Sequence, residues 1–196
     1  MFRSPLRRLV VLATSAVAVA STAFALSAPA QATTAQSCAV PWGSQAKQGP
    51  VTGPVSGAML SNVRAGRQAC YDRLVIDLRG MDAMKSYRVL YVRQVTHDPS
   101  DRPVPLRGGA YLQIAVGGSD HTASGLPTYT PANRRDLVDV TGFSTFRQVA
   151  WAGSWEGISS VGLGVRARLP FRVTTLAGIP GSSTGTRVVI DVAHSW

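Results

Sequence analysis

The sequence is poor in the residues that most enzymes rely on. It holds one glutamate, Glu156, and two lysines, Lys47 and Lys85, against nine aspartates and 18 arginines. The three histidines, His97, His121 and His194, lie far apart, and none stands in a His-Glu-x-x-His spacing. Two cysteines are too few for a structural zinc site, so no metal is expected. No Gly-x-Ser-x-Gly turn marks a serine nucleophile. Paired-carboxylate hydrolysis would have to join Glu156 to an aspartate, and nothing in the spacing does so. Asp98 and Asp120 adjoin histidines, yet both stand in loop-type segments with no nucleophile nearby. Function has to be argued from a site, and no catalytic set is visible. The expectation is a protein that is not an enzyme and uses no cofactor, with a hydrolase acting on wall material as the alternative.

Long apolar runs are also scarce, with one exception at the start. Arg3, Arg7 and Arg8 are followed by an apolar and small-residue run from Leu9 to Leu26. Ala30-Gln31-Ala32 then places small residues at the −1 and −3 positions of a cut after Ala32. This layout predicts a secretory signal peptide over 1–32, against the alternative of an uncleaved anchor. Arg7-Arg8 fits a twin-arginine signal only loosely. No other segment is long and apolar enough to span a membrane, so no transmembrane segment is expected after cleavage. The mature chain would be secreted or held in the cell envelope. Its net charge would be +7, since three of the 20 basic residues and none of the 10 acidic ones lie in the first 32. A basic exported protein is drawn to phosphate-bearing wall polymers, peptidoglycan carboxylates and anionic lipid heads. No nucleic-acid motif is present.

Cys38 and Cys70 form an even pair in an exported chain, which predicts a disulfide. The chain-entropy model gives a loop of about 32 residues roughly 3.7 kcal/mol. A lipid-modified Cys38 is the alternative, and it would need an aliphatic residue where Ala35 stands.

Residues 33–57 are rich in Pro, Gly and Ser without periodicity and read as a flexible tail or linker, with Trp42 docking on the domain once the disulfide forms. From 58 to 196 short β-type runs alternate with Gly/Pro turns, and no window of helical length carries a 3.6-residue stripe. The expectation is a single all-β sandwich. Arg73-Leu74-Val75-Ile76-Asp77-Leu78 is repeated by Arg187-Val188-Val189-Ile190-Asp191-Val192, which predicts a two-fold pseudo-repeat with the two runs in its two halves. The stretch Gly117 to Asp136 has no clear element; it reads as a long surface crossover, with room for a short helix near Asn133 to Leu137.

Two sets of residues carry candidate roles. Asp77 and Asp191 are acids within strands, where each needs an arginine partner on a neighbouring strand. The second set comes from the alternation of Val161 to Leu169, which places Gly162, Gly164, Arg166 and Arg168 on one face. A bare glycine strip invites a large ring, and Trp151 is expected to supply it, flanked by Arg147 and Arg168. Arg147, Trp151, Arg166 and Arg168 would then form a ligand-binding face, an aromatic platform with guanidinium forks for carboxylate or phosphate. A solvated face with no ligand is the alternative.

Several runs resemble one family. Trp42-Gly43-Ser44, Gly66 to Leu78, Pro105 to Ala110, Phe146 to Trp151, Gly162 to Phe171 and Arg187 to His194 look like the AMIN-like domain of exported actinobacterial proteins. The resemblance runs from about Trp42 to Trp196. It implies a β-sandwich in the cell envelope, distantly related to AMIN domains that bind peptidoglycan, and it implies no catalytic residue set. The partner it suggests is a cell-wall glycan, the alternative being another envelope protein. The chain departs from many relatives in lacking a good lipobox, and no amidase or secretin domain accompanies it.

Overall fold

The computed structural model describes residues 38–49, 57–80 and 86–196, which fall within one compact unit. The expected signal peptide, its cut after Ala32, and residues 33–37 and 50–56 of the expected tail lie outside the described residues. Among the described residues there are eleven strands and no helix. They are β1 (Lys47–Gln48), β2 (Met59–Arg67), β3 (Tyr71–Arg79), β4 (Tyr87–Val92), β5 (Val95–His97), β6 (Arg102–Val104), β7 (Ala110–Gly117), β8 (Phe146–Trp155), β9 (Ile158–Val165), β10 (Phe171–Ile179) and β11 (Ser182–Ala193). A five-stranded sheet runs β1-β4-β7-β9-β8 and a four-stranded sheet runs β10-β11-β3-β2, with β5 and β6 forming a separate hairpin. All strand pairs are antiparallel, as expected for a sandwich.

Side-chain alternation builds the core. Leu74, Ile76 and Leu78 of β3 and Val188, Ile190 and Val192 of β11 point inward from the four-stranded sheet. Val89, Leu112, Ile114, Val161 and Leu163 meet them from the five-stranded one. Each such side chain, fully removed from water, contributes about 1.5–3 kcal/mol. Phe146 and Phe171 are the largest fully buried side chains.

Three expectations need correction. The repeated runs do not lie in separate halves: β3 and β11 are neighbours, with Arg73 opposite Asp191 and Arg187 opposite Asp77. An antiparallel pair has its own local two-fold axis, so two like sequences are related without any duplicated half. Second, residues 38–49 are not a loose tail. Cys38 is bonded to Cys70, Lys47–Gln48 pairs with β4, and the Gly43 carbonyl accepts from the Phe171 amide at 2.9 Å. The ring of Trp42 meets Tyr71 edge-on at 5.5 Å, under the Arg172 guanidinium at 4.4 Å. The edge of β4 offers unpaired backbone groups, and the disulfide keeps this segment close enough to satisfy them.

Third, no helix forms at 133–137. The chain there runs, with bends, along the outer edge of β8, where the Trp151 amide donates to the Arg134 carbonyl and the Leu137 amide to the Val149 carbonyl, both at 2.8 Å. The long crossover therefore covers an edge that would otherwise be open.

Candidate functional site

The glycine strip exists, but Trp151 does not lie on it. Gly162 sits opposite Gln113 and Ala150, and Gly164 opposite Tyr111 and Gln148, on the outer face of the five-stranded sheet. A Cβ at Gly162 would meet Leu106 Cδ1 at 2.9 Å and Val95 Cγ1 at 3.1 Å, and one at Gly164 would overlap the Arg107 carbonyl. The bare strip thus seats the protein's own β5 strand and 105–107 segment. Trp151 is opposite Val161 and belongs to the core cluster; it is 7% exposed, its ring tilted against Tyr129 at 5.8 Å.

The other expected ligand residues are also dispersed. Strand β9 ends at Val165, so Arg166 and Arg168 lie in the connection to β10. Arg166 donates to the His194 carbonyl. Arg168 donates to Ser44 and lies over the Tyr91 ring at 4.9 Å. Arg147 donates to the carbonyls of Phe143, Ser144 and Phe146. The four residues do not form one face, because strand alternation ceases to hold where the strand stops.

A different basic surface is built around Gln148. This side chain is buried, accepting from the Arg107 amide and donating to the Arg135 carbonyl, both at 2.7 Å. It thereby ties the 105–107 and 134–136 segments to β8. Beside it a cleft of about 350 Å³ is walled by Arg102, Arg134, Arg135, His97 and the backbone region of Ala150 and Trp151. All three arginines are exposed. No acid lines this cleft, and Arg134 and Arg135 have no ion-pair partner among the described residues. A neighbouring cleft of about 750 Å³ holds Arg107, Arg147, Asp136, Asp139 and Phe143. There Arg107 is neutralised by Asp136 at 2.5 Å. Hydrogen bonds from Thr141 hold the Asp139 carboxyl below its ordinary range.

The two strand acids meet arginines. Asp77 takes two hydrogen bonds from Arg64, at 3.0 and 3.2 Å. Asp191 takes two from Arg73 and a third from Arg172 at 2.8 Å. The Asp191 hydrogen bond raises the Arg73 pKa, against a smaller opposing effect of burial. A third buried acid, Asp72, went unrecognised in the sequence. It accepts from the Thr145 and Phe146 amides at 2.5 and 3.0 Å, and lies 3.1 Å from His194 Nε2. Its position in alternation with core residues Leu74 and Ile76 was the available signal. Asp72 closes the end of the long crossover where β8 begins.

Among the described residues, no three His, Cys, Asp or Glu side chains gather as metal ligands would. What the geometry defines is an antiparallel β-sandwich tied by one disulfide, with arginine-walled clefts on the outer side of one sheet. The chain belongs to the AMIN-like domain family, whose model matches residues 58–194. No curated protein and no solved structure matches it.

Proposed function

We propose that this protein is an exported, non-enzymatic binding module of the cell envelope, and that the cleft walled by Arg102, Arg134 and Arg135 takes an anionic wall glycan such as peptidoglycan. The observation that carries this reading is the set of three exposed guanidinium groups around a cleft with no acid in its lining. Guanidinium forks match carboxylate and phosphate oxygens, and arginine is only weakly hydrated, so it gives up water readily. The Gln148 side chain, by donating to the Arg135 carbonyl, fixes the backbone of one cleft wall and limits the entropy lost on binding. Membership of the AMIN-like family and the Cys38–Cys70 disulfide both support a place outside the cytoplasm.

A second reading, docking on another envelope protein, draws on β10. Beyond Phe171, whose amide donates to Gly43, this strand pairs only with β11 among the described residues, and it carries the exposed Leu176. An open edge of this kind accepts an added strand.

Sedimentation with isolated cell wall tests the first reading. The Arg134→Gln, Arg135→Gln double variant should lose about tenfold in affinity, equivalent to about 1.4 kcal/mol. The parent's binding should weaken as salt rises, because screening shortens to about 8 Å at physiological ionic strength. Removal of the anionic polymers from the wall should reproduce part of the loss. A double variant that sediments like the parent would show that the cleft is not the site.

A further inference from the structure

We infer that the outer face of the five-stranded sheet carries a second binding site, for an uncharged sugar unit of a glycan chain, with Trp155 as its platform. The inference rests on the glycan reading above for its ligand class, but uses neither its residues nor its charge. It starts from the β8–β9 turn. Trp155 and Ile158 are register partners that close a two-residue hairpin turn of Glu156 and Gly157. Trp155 is 55% exposed and Ile158 38% exposed. Large apolar side chains left open side by side mark a contact surface.

The turn itself is unusual. Glu156 has φ 48° and Gly157 φ 79°, so both are left-handed. Such turns favour Asn, Asp or Gly at the first position, where glutamate is strained. The only glutamate of the chain is thus held at the hairpin tip, next to the exposed tryptophan. Backbone strain of this kind concentrates at functional positions.

Behind the turn lies a cleft of about 650 Å³, within the usual range for small-molecule sites, about 300–1,000 Å³. Its floor is a row across the sheet, in which Gln48 is opposite Arg88 and Arg88 is opposite Ala115, itself opposite Ser160. Ala115 is the small residue in that row, and it leaves the floor low. Trp155, Glu156 and Ile158 line it together with Gln48 and Arg88.

The chemistry selects the ligand. A pyranose has an apolar C–H face that packs on an indole and a rim of hydroxyl groups that need donors and acceptors. Gln48 and Arg88 donate, and the Glu156 carboxylate accepts. Asp98 also lines the cleft, its carboxylate already taken by the Ser160 hydroxyl. Because Arg88 shares the lining with Glu156 and Asp98, the cleft lacks the one-signed charge of the Arg134 cleft and suits an uncharged ring. An added peptide strand is disfavoured, because the Tyr87–Val89 edge is already occupied by Lys47, Gln48 and Gly49.

The test uses soluble, uncharged N-acetylglucosamine oligomers as the probe and follows the indole N–H signals of the four tryptophans by NMR. The Trp155 signal, assigned from Trp155→Phe, should shift in a saturable way, with little change up to about 0.5 M salt. Trp155→Ala should weaken binding about tenfold or more. Ala115→Leu, which raises the floor and leaves the platform intact, should do likewise. Arg134→Gln with Arg135→Gln should have no effect here, so failure of the basic cleft and failure of this site are separable. A Trp155 signal that stays in place, or a folded Trp155→Ala protein that binds like the parent, would overturn the assignment.

Discussion

Arg73 and Asp191 face each other across β3 and β11, joined by hydrogen bonds of 2.7 and 2.9 Å. The local two-fold axis that relates them also puts Arg187 opposite Asp77, with Val75 and Val189 paired between. The environments then diverge, because different strands flank the pair. Strand β10 brings Arg172 to Asp191, whereas β2 brings Arg64 to Asp77. Arg187 turns away and donates to the carbonyls of Ala177 and Gly178. Sequence repetition here encodes a shared strand pairing, and the flanks decide the charge network.

That asymmetry predicts unequal costs. Asp191 is buried and serves two arginines, each with about a third or more of its side chain exposed. Asp191→Asn should destabilise by about 2–3 kcal/mol, discounted from the cost for a fully buried pair because water reaches the guanidinium groups. Asp77→Asn, which releases one arginine, should cost about 1–2 kcal/mol. Urea unfolding of the two variants checks the order. Equal losses would show that Arg172 adds nothing to Asp191.

The disulfide should matter for more than loop entropy. Replacing Cys38 and Cys70 by serine should cost about 3–4 kcal/mol from chain entropy alone, for a closed loop of 32 residues. It should also free the segment from Trp42 to Gln48, since the bridge lies beside its point of attachment. Hydrogen exchange at the Phe171 amide, bonded to Gly43, would then speed up by more than the loss of global stability accounts for, while core amides of β7 would speed up only by that loss. Exchange at Phe171 that matches the parent would mean that Trp42 docks without the bridge.

Much of the sandwich was legible because alternation is a local signal. Leu74, Ile76 and Leu78 point inward as their spacing requires, and the Asp191–Arg73 pairing follows from the need of a strand acid for a partner. The ligand face was not legible, for two physical reasons. The alternating pattern of the sequence continues past Val165, where Arg166 and Arg168 leave the strand. In the sequence the glycine strip reads as open to a ring, whereas Leu106 and Val95 fill it, and no local pattern reveals which distant segment crosses a sheet. Arg134 and Arg135 stood in a stretch without periodicity. Their placement depends on Gln148, a contact between residues 13 apart that only the folded chain displays.

The filled strip makes its own prediction. A Cβ at Gly164 would overlap the Arg107 carbonyl, a backbone atom that cannot swing aside. Gly164→Ala should therefore destabilise by about 1–3 kcal/mol and loosen the 105–107 segment. Because the Arg107 amide is bonded to Gln148, the basic cleft should loosen with it. Wall binding by Gly164→Ala should fall even at temperatures where the variant is fully folded. A variant with parent-like stability and binding would show that this segment moves freely.

Alkaline pH offers a test of the packing under the long crossover. Burial pushes the Tyr129 pKa up to about 12 in the folded chain, against an ordinary value near 10. The phenol is the neutral form, so a raised pKa means that the folded state keeps its proton when the unfolded state has lost it. The resulting contribution favours unfolding as pH rises, beginning near pH 10 and complete near pH 12. Below pH 10 both states are protonated and the stability from this site is fully present. Tyr91 acts in the same direction: burial raises its pKa, opposed by its hydrogen bond with Leu169 and by the Arg168 charge. Tyr129→Phe keeps the ring against Trp151 and removes the ionisable group. Thermal melts should therefore show a shallower decline between pH 10 and 12 for Tyr129→Phe than for the parent, with little difference near pH 8. Parallel declines across that window would mean that the Tyr129 hydroxyl reaches water, and that the crossover does not pack over Trp151 as tightly as the 5.8 Å ring contact implies.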